Sequence, residues 1–197
     1  MTERNRWIDM LQTVGAIQDG HFLLSSGRHS GRYVQCARAL EAPEVANSLG
    51  QAIAAAIDGT VDRVMAPPLG GLLIGYEVAR HLNVPFSFPE RGDDGTFVLR
   101  RGFSLRPSER ICVIEDVITT GKTTVELLDA LRNLGALPVA IGCIADRSDT
   151  HQLAGLPIHS LLQLAIPTFA ADACPMCKDG VALRQPGSRD MTVQASS

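Results

Sequence analysis

The stretch Ile111-Cys-Val-Ile-Glu-Asp-Val-Ile-Thr-Thr-Gly-Lys-Thr-Thr124 decides how the rest of the chain is read. An apolar run ends in two adjacent carboxylates, Glu115 and Asp116, and then enters a loop of small hydroxylated residues that opens a helix. An uninterrupted apolar run of this kind fits a strand buried on both faces, as in a parallel sheet covered by helices. In such a sheet the ligand crevice lies at the carboxyl ends of the strands, where Glu115 and Asp116 stand. The loop Val117-Ile-Thr-Thr-Gly121, with Lys122 and Thr123 after it, suits a phosphate. Gly121 permits close backbone approach, the threonine hydroxyls donate, and the helix start offers free amides and a partial positive charge. Taken singly, each residue also fits an ordinary threonine-capped turn whose acids only solvate a strand end. Together at one turn they favour a phosphate site. A nucleoside-triphosphate loop would place glycine at 116, and the chain has Asp116 there.

Outward from this segment, the chain reads as strand, loop and helix in alternation. On the N-terminal side, residues 61–66 form a strand, 67–71 a loop, 72–82 a helix and 84–88 a second strand. Residues 89–110 are rich in Gly, Arg and Asp around the apolar triplet Phe97-Val-Leu99, and read as a flexible hairpin-like excursion. A helix over 122–133 follows the decisive loop, closed by Gly135, and further strands are predicted at 137–145 and 158–164. Ahead of residue 61 come a helix over 3–14, short strands at 21–25 and 33–36 around a Gly-rich turn, and a helix from Pro43 to Ile57. Val45, Leu49 and Ile53 form that helix's inner face. The fold class is therefore α/β, with a central parallel sheet flanked by helices. The whole is read as one domain: a small N-terminal hood (1–40), an α/β core (41–166) and a C-terminal tail (167–197). The tail beyond Gly187 is polar and expected to fray.

Composition narrows the function further. The 197 residues are 45% hydrophobic and 20% charged, enough to bury a sizeable core. A net charge of −3 gives no global field for nucleic acid. No window is long and apolar enough for a membrane helix, and the start lacks an apolar signal core. The cytoplasm is the expected address. Only Lys122 and Lys178 are lysines, and the other sixteen cations are arginines. Any work assigned to a mobile cation must therefore fall mainly to arginine. Of five cysteines, Cys112 and Cys143 lie in apolar runs and read as core residues. Cys174-Pro-Met-Cys177 is a lone CxxC that fits a redox pair, a disulfide or half of a zinc site, the last mostly by pairing with another subunit.

With these residues in view, Val113-Ile-Glu-Asp-Val-Ile-Thr-Thr-Gly121 resembles the phosphoribosyl pyrophosphate motif of type I phosphoribosyltransferases, in the form found in orotate phosphoribosyltransferases. Gly20-His-Phe-Leu-Leu-Ser-Ser-Gly-Arg-His-Ser30 is similar to that family's base-recognition segment. Ala66-Pro-Pro-Leu-Gly-Gly71 resembles its pyrophosphate-side loop, and Ala145-Asp-Arg147 its orotate-contacting turn. Cys174-Pro-Met-Cys-Lys-Asp-Gly180 is similar to the tail of a shorter bacterial and archaeal branch. The resemblance implies the type I phosphoribosyltransferase fold and transfer of ribose 5-phosphate from phosphoribosyl pyrophosphate to orotate.

It also implies roles. Glu115 and Asp116 would hold the ribose hydroxyls and face the cationic sugar, forming the catalytic set together with Arg91. Val117, Ile118, Thr119, Thr120, Gly121, Lys122 and Thr123 would cradle the 5′-phosphate. Ser25, Tyr33, Thr119 and Arg147 would meet orotate, with Arg147 on its carboxylate, a task suited to a guanidinium fork. Plainer readings are a core aromatic for Tyr33 and an ion pair with Asp146 or Asp149 for Arg147. The implied cofactor is Mg²⁺, held by substrate oxygens rather than by a protein cage. The implied assembly is a homodimer that shares a loop across its interface.

The chain departs from the pattern in its mobile loop. Pro89-Glu-Arg-Gly-Asp-Asp-Gly-Thr-Phe-Val-Leu-Arg-Arg-Gly102 has no lysine and no histidine, and leaves Arg91, with Arg100 and Arg101 downstream, as the candidate pyrophosphate cations. Gly70 and Ser25 stand where relatives place lysines. Arginine supplies charge but cannot act as an acid. Two alternatives follow: a phosphoribosyltransferase for a purine, or a non-catalytic regulator that binds phosphoribosyl pyrophosphate or a nucleotide.

Overall fold

In the computed structural model, which describes residues 3–24, 26–148 and 150–186, the alternating segments from residue 61 onward build one six-stranded sheet. In chain order the elements begin with α1 (Glu3–Thr13), β1 (Ile17–Leu23), β2 (His29–Val34), the single turn α2 (Ala37–Leu40) and α3 (Pro43–Ala56). Then come β3 (Arg63–Met65), α4 (Gly71–Leu82), β4 (Phe86–Ser87), β5 (Glu90–Arg91), β6 (Phe97–Val98) and β7 (Arg110–Ile118). The rest are α5 (Lys122–Asn133), β8 (Leu137–Asp146), β9 (Gln152–Leu153), β10 (Leu156–Gln163), β11 (Thr168–Phe169) and the short α6 (Pro175–Lys178).

The main sheet has the order β4-β3-β7-β8-β10-β9. Its first five strands are parallel, and β9 pairs antiparallel with β10. The predicted parallel sheet is thus mixed at one edge, where the four residues of a tight turn return the chain before β10. The decisive strand sits between β3 and β8 and is buried on both faces, as its apolar run requires. Alternation along β7 divides the core in two. Cys112 and Ile114 face α3, α4 and the residues of α1. Ile111 and Val113 face Leu127, Leu128 and Leu131 of α5.

Several boundaries differ from expectation. Val117 and Ile118 belong to β7, paired with Ala145 and Asp146, because β8 is long enough to continue the ladder past the acids. The true loop is therefore only Thr119–Gly121. The inner face of α3 is Ala46, Leu49, Gly50, Ile53 and Ala54, with Val45 only packed at its margin. Gly50 is there because any side chain would meet Cβ of Glu77 on α4 at 2.5 Å. The hood strands run over 17–23 and 29–34 rather than 21–25 and 33–36. Burial of Ile17 and Phe22 carries the pairing through polar residues whose own strand preference is low. The tail contributes β11 to the far side of β2, making a three-stranded hood sheet, β1-β2-β11. The 89–110 excursion is more ordered than its composition suggests: β5 and β6 pair, and Phe97 is buried against the α5 core. No helix among the described residues is long and apolar enough to cross a membrane.

Candidate active site

Because adjacent strand residues point to opposite faces, Glu115 and Asp116 serve different sides of β7. Glu115 follows Ile111 and Val113 toward α5, is 8% exposed, and lies beside Thr124. Burial is the main reason its carboxyl is pushed up to about 8, the neighbouring Asp116 adds to this, and the Thr124 hydroxyl works against it. Asp116 points the other way. Its Oδ1 accepts the Val117 amide at 2.8 Å, and the carboxylate lies against Gly70 of the loop before α4. The Cys36 thiol faces the Asp116 carbonyl at 3.9 Å, anchoring the chain that leaves the hood to the strand end. Burial raises Asp116 as well.

The phosphate-type loop has the form the sequence implies. Gly121 caps α5 with φ +71°, a left-handed conformation that favours glycine, and a Cβ there would meet Leu153 of β9 at 2.6 Å. Thr119, Thr120, Lys122 and Thr123 are exposed at the mouth, while Thr124 is buried. Glu115, Val117, Ile118, Thr119, Thr120, Gly121, Lys122, Thr123 and Thr124 line a single cavity at the start of α5. That is every residue expected to cradle the 5′-phosphate, with Glu115 at its floor. Lys122 keeps a largely exposed side chain, 3.9 Å from Glu126 one turn on.

Arg147 stands at the same end of the sheet, its amide donating to Ile118 O at 2.8 Å. The ion pair with Asp146 is not formed. The Asp146 carboxylate instead accepts from the amide and hydroxyl of Ser148 at 2.8 and 2.6 Å. Asp149 and Ser25 lie outside the described residues. Among the described residues Arg147 Nε is buried with no hydrogen-bond partner, and burial lowers the guanidinium's proton affinity. A buried guanidinium nitrogen of this kind is costly unless an acceptor arrives.

Four predicted residues do not line the cavity: Asp116 and Arg147, which stand at the same strand ends, and Arg91 and Tyr33, which belong to other elements. Arg91 lies on the flank of α5, donating to Glu126 Oε2 and to Gly95 O, both at 2.6 Å, with its guanidinium 3.8 Å from the Phe97 ring centroid. These contacts dock Arg91 on its own α5, which the arginine-rich, apolar-poor composition of its loop did not suggest. Tyr33 is a half-buried hood residue whose ring packs 5.7 Å from that of Phe22, and Gln35 donates to its hydroxyl at 3.4 Å. Sequence reasoning missed three participants. Thr124 carries a signal, as the next hydroxyl in the same run. Glu126 carries a weaker one, at i+4 from Lys122. Leu153, which closes the back of Gly121, carries none, because only the folded edge strand brings it there.

A strand-end acid pair, a glycine-capped hydroxyl loop and an arginine at the same end of the sheet meet the pattern of a known class. A family model of the phosphoribosyl transferase domain matches residues 38–154, which span this whole arrangement. The chain belongs to the phosphoribosyltransferase family. The orotate phosphoribosyltransferase of Thermotoga maritima is 42% identical over 184 residues, covering 93% of this chain and 98% of the relative. That of Caldanaerobacter subterraneus is 39% identical over 190 residues, covering 96% and 100%. Among solved structures, orotate phosphoribosyltransferase from Aeropyrum pernix superposes with a TM-score of 0.65 at 25% identity, over 79% of this chain and 92% of that one. Within the family, these similarities place the chain in the orotate phosphoribosyltransferase branch.

Proposed function

We propose that the chain transfers the 5-phosphoribosyl group of phosphoribosyl pyrophosphate to orotate, releasing pyrophosphate and forming orotidine 5′-monophosphate, a step of pyrimidine nucleotide synthesis in the cytoplasm. The observation that carries the reading is the Arg147 Nε, buried and without a partner among the described residues, beside the strand end that holds Glu115 and the hydroxyl loop. A substrate with an anionic phosphate, a ribose and a carboxylated base has complementary groups for all three. The sugar's bond to pyrophosphate breaks, its C1 bonds to a ring nitrogen of orotate, and that nitrogen's proton is lost.

The residues divide the work by charge. The loop amides and hydroxyls of Thr119 to Thr123 hold the 5′-phosphate at the start of α5. Glu115 and Asp116 hold the ribose hydroxyls and, once ionised, stabilise positive charge growing on the sugar. Arg147 takes the orotate carboxylate, and Ser25 and Tyr33 belong to the hood that reads the base. Arg91 supplies charge to the departing pyrophosphate, though no proton.

The donors at this strand end are two carboxylates and several hydroxyls, and among the described residues the group able to cage an ion by itself lies elsewhere. Such a sparse set suits Mg²⁺, which keeps several waters and is carried by substrate phosphates. When bound, the ion neutralises the pyrophosphate charge.

We read the assembly as a homodimer. Leu69, ahead of α4, and Leu73 and Tyr76 on it are exposed at 83%, 59% and 58%, an apolar stripe that a second copy would cover. An assay of pyrophosphate release with phosphoribosyl pyrophosphate, Mg²⁺ and orotate, uracil, adenine or hypoxanthine tests the reaction. Turnover with orotate is expected. Turnover only with a purine, or with no base, would overturn the assignment.

A further inference from the structure

The lone CxxC motif has a partner that its spacing does not reveal. Cys174 and Cys177 bracket the start of α6, and they lie over the hood hairpin, where β1 carries His21 and β2 carries His29. One donor atom from each of the four falls within 4.8 Å of all the others. His21 Nε2 is 2.8 Å from His29 Nδ1, 3.5 Å from Cys174 Sγ and 3.7 Å from Cys177 Sγ, and Cys177 Sγ is 3.3 Å from His29 Nδ1. A tetrahedral zinc ion with ordinary Zn–N and Zn–S bonds separates its ligands by roughly 3.3 Å for N···N, 3.6 Å for N···S and 3.8 Å for S···S. The distances from His21 Nε2 to both sulfurs and from His29 Nδ1 to Cys177 Sγ are already close to those of that tetrahedron; to hold the ion the two imidazole nitrogens must part, and the remaining separations, within 4.8 Å, must settle to its edges.

The surroundings favour a closed site. His21, His29 and Cys174 are buried. His21 Nδ1 lies 2.8 Å from the carbonyl of Val181, which can only accept, so Nδ1 carries the proton and Nε2 turns a lone pair into the cluster. All four cysteine and histidine ligands come from one chain, so the CxxC does not need another subunit to complete a site. Both thiols are free, not joined to each other.

We infer that His21, His29, Cys174 and Cys177 form an intrachain structural Zn²⁺ site that clamps the C-terminal segment onto the hood. Two thiolates and two imidazoles in a tetrahedron select zinc over the oxygen-seeking Mg²⁺. The clamp reinforces contacts that are otherwise few. β11 pairs with β2 at Thr168↔Ser30 and Phe169↔His29, Arg28 donates to Thr168 Oγ1 and O, and Arg184 exchanges two 2.8 Å backbone bonds with His21 and Leu23. His29 is the first residue of β2, so the ion fixes the hood hairpin that reads the base in the function proposed above.

The test is metal analysis of untagged protein purified under reducing conditions from zinc-replete cells, followed by chelation and titration with Co²⁺. One zinc per chain is expected, and Co²⁺ should saturate at one equivalent with thiolate-to-metal charge-transfer bands and tetrahedral visible absorption. Cys177→Ser, at the most exposed ligand, should weaken those bands and lower metal affinity at least tenfold while the chain stays folded. The chelated protein should melt at lower temperature and lose its tail to protease sooner. Protein that purifies without metal and gives no cobalt–thiolate spectrum would overturn the inference. So would half an equivalent of metal per chain, or a Cys174–Cys177 disulfide in freshly purified protein. These readouts do not involve orotate or phosphoribosyl pyrophosphate, so the site can fail while the proposed reaction stands, and the reverse.

Discussion

A β-carbon placed on Gly70 would stand 2.6 Å from Oδ1 of Asp116, closer than non-bonded atoms approach. The glycine that opens α4 and the acid at the end of β7 therefore define one another: the carboxylate occupies the volume a side chain would take. Gly70 has helical backbone angles, φ −57° and ψ −44°, so alanine fits the backbone and offends only the acid. Gly70→Ala is expected to lower kcat/KM about 10- to 100-fold by shifting Asp116, while the melting temperature changes by only a few degrees. Steady-state kinetics with thermal melts checks this. Full activity would mean that the position of Asp116 is unimportant. Asp116→Asn, which preserves the shape and removes the charge, should depress kcat rather than KM.

Glu115 sets a pH dependence whose sign follows from its raised pKa. In the free protein the carboxyl holds its proton up to about 8, against an ordinary value of 4.5. The ionised form is the one that can face a cationic sugar. Accordingly kcat/KM for phosphoribosyl pyrophosphate should rise with pH below about 8 and level off above it. A flat profile from pH 6 to 9 would contradict this. Stability moves in the opposite sense. The folded chain binds this proton more tightly than the unfolded chain, so the contribution is full below the unfolded value and is lost as pH rises through about 8. Glu115→Gln, which never ionises, should gain little stability at pH 5 and on the order of a few kcal/mol at pH 8, at the expense of activity. Denaturant melts of both proteins at the two pH values decide it.

Arg91 is tied to Glu126 on the flank of its own α5 and does not line its own cavity. In the proposed homodimer the loop would have to leave Glu126 to act in a neighbouring subunit. Mixing inactive Arg91→Ala chains with inactive Asp116→Asn chains should restore activity up to the fraction of hybrid dimers, since one site in each hybrid then carries neither lesion. Mixtures that demonstrably exchange subunits and stay inactive would confine Arg91 to its own chain, or exclude it from the reaction.

Most of the sheet and the heart of the site were legible because they rest on local signals. Apolar runs marked β7 and β8, and Gly121 and Gly135 bracketed α5. The run from Glu115 to Thr123 carried its chemistry within one turn. The illegible parts depend on chain separated by long loops. Leu153 behind Gly121, β11 beside β2, and His21 and His29 facing Cys174 and Cys177 are meetings that no spacing announces. The docking of Arg91 on α5 was not legible for a related reason. Its loop is polar, but Phe97 and Glu126 give it a docking surface that composition does not display. Gly70 was noticed only for the lysine it lacks, whereas its use here is to make room for Asp116.

The central claim is that Arg147 reads the orotate carboxylate, and the most direct test is the ratio of kcat/KM for orotate to that for uracil, which differs by that one group. A site that leaves the buried Nε of Arg147 unpaired with the wrong base should discriminate on the order of 10⁴-fold. The ratio should collapse in Arg147→Ala through loss of orotate turnover, with uracil little affected. Comparable rates for the two bases in the unaltered protein, or a ratio that Arg147→Ala leaves intact, would contradict the account.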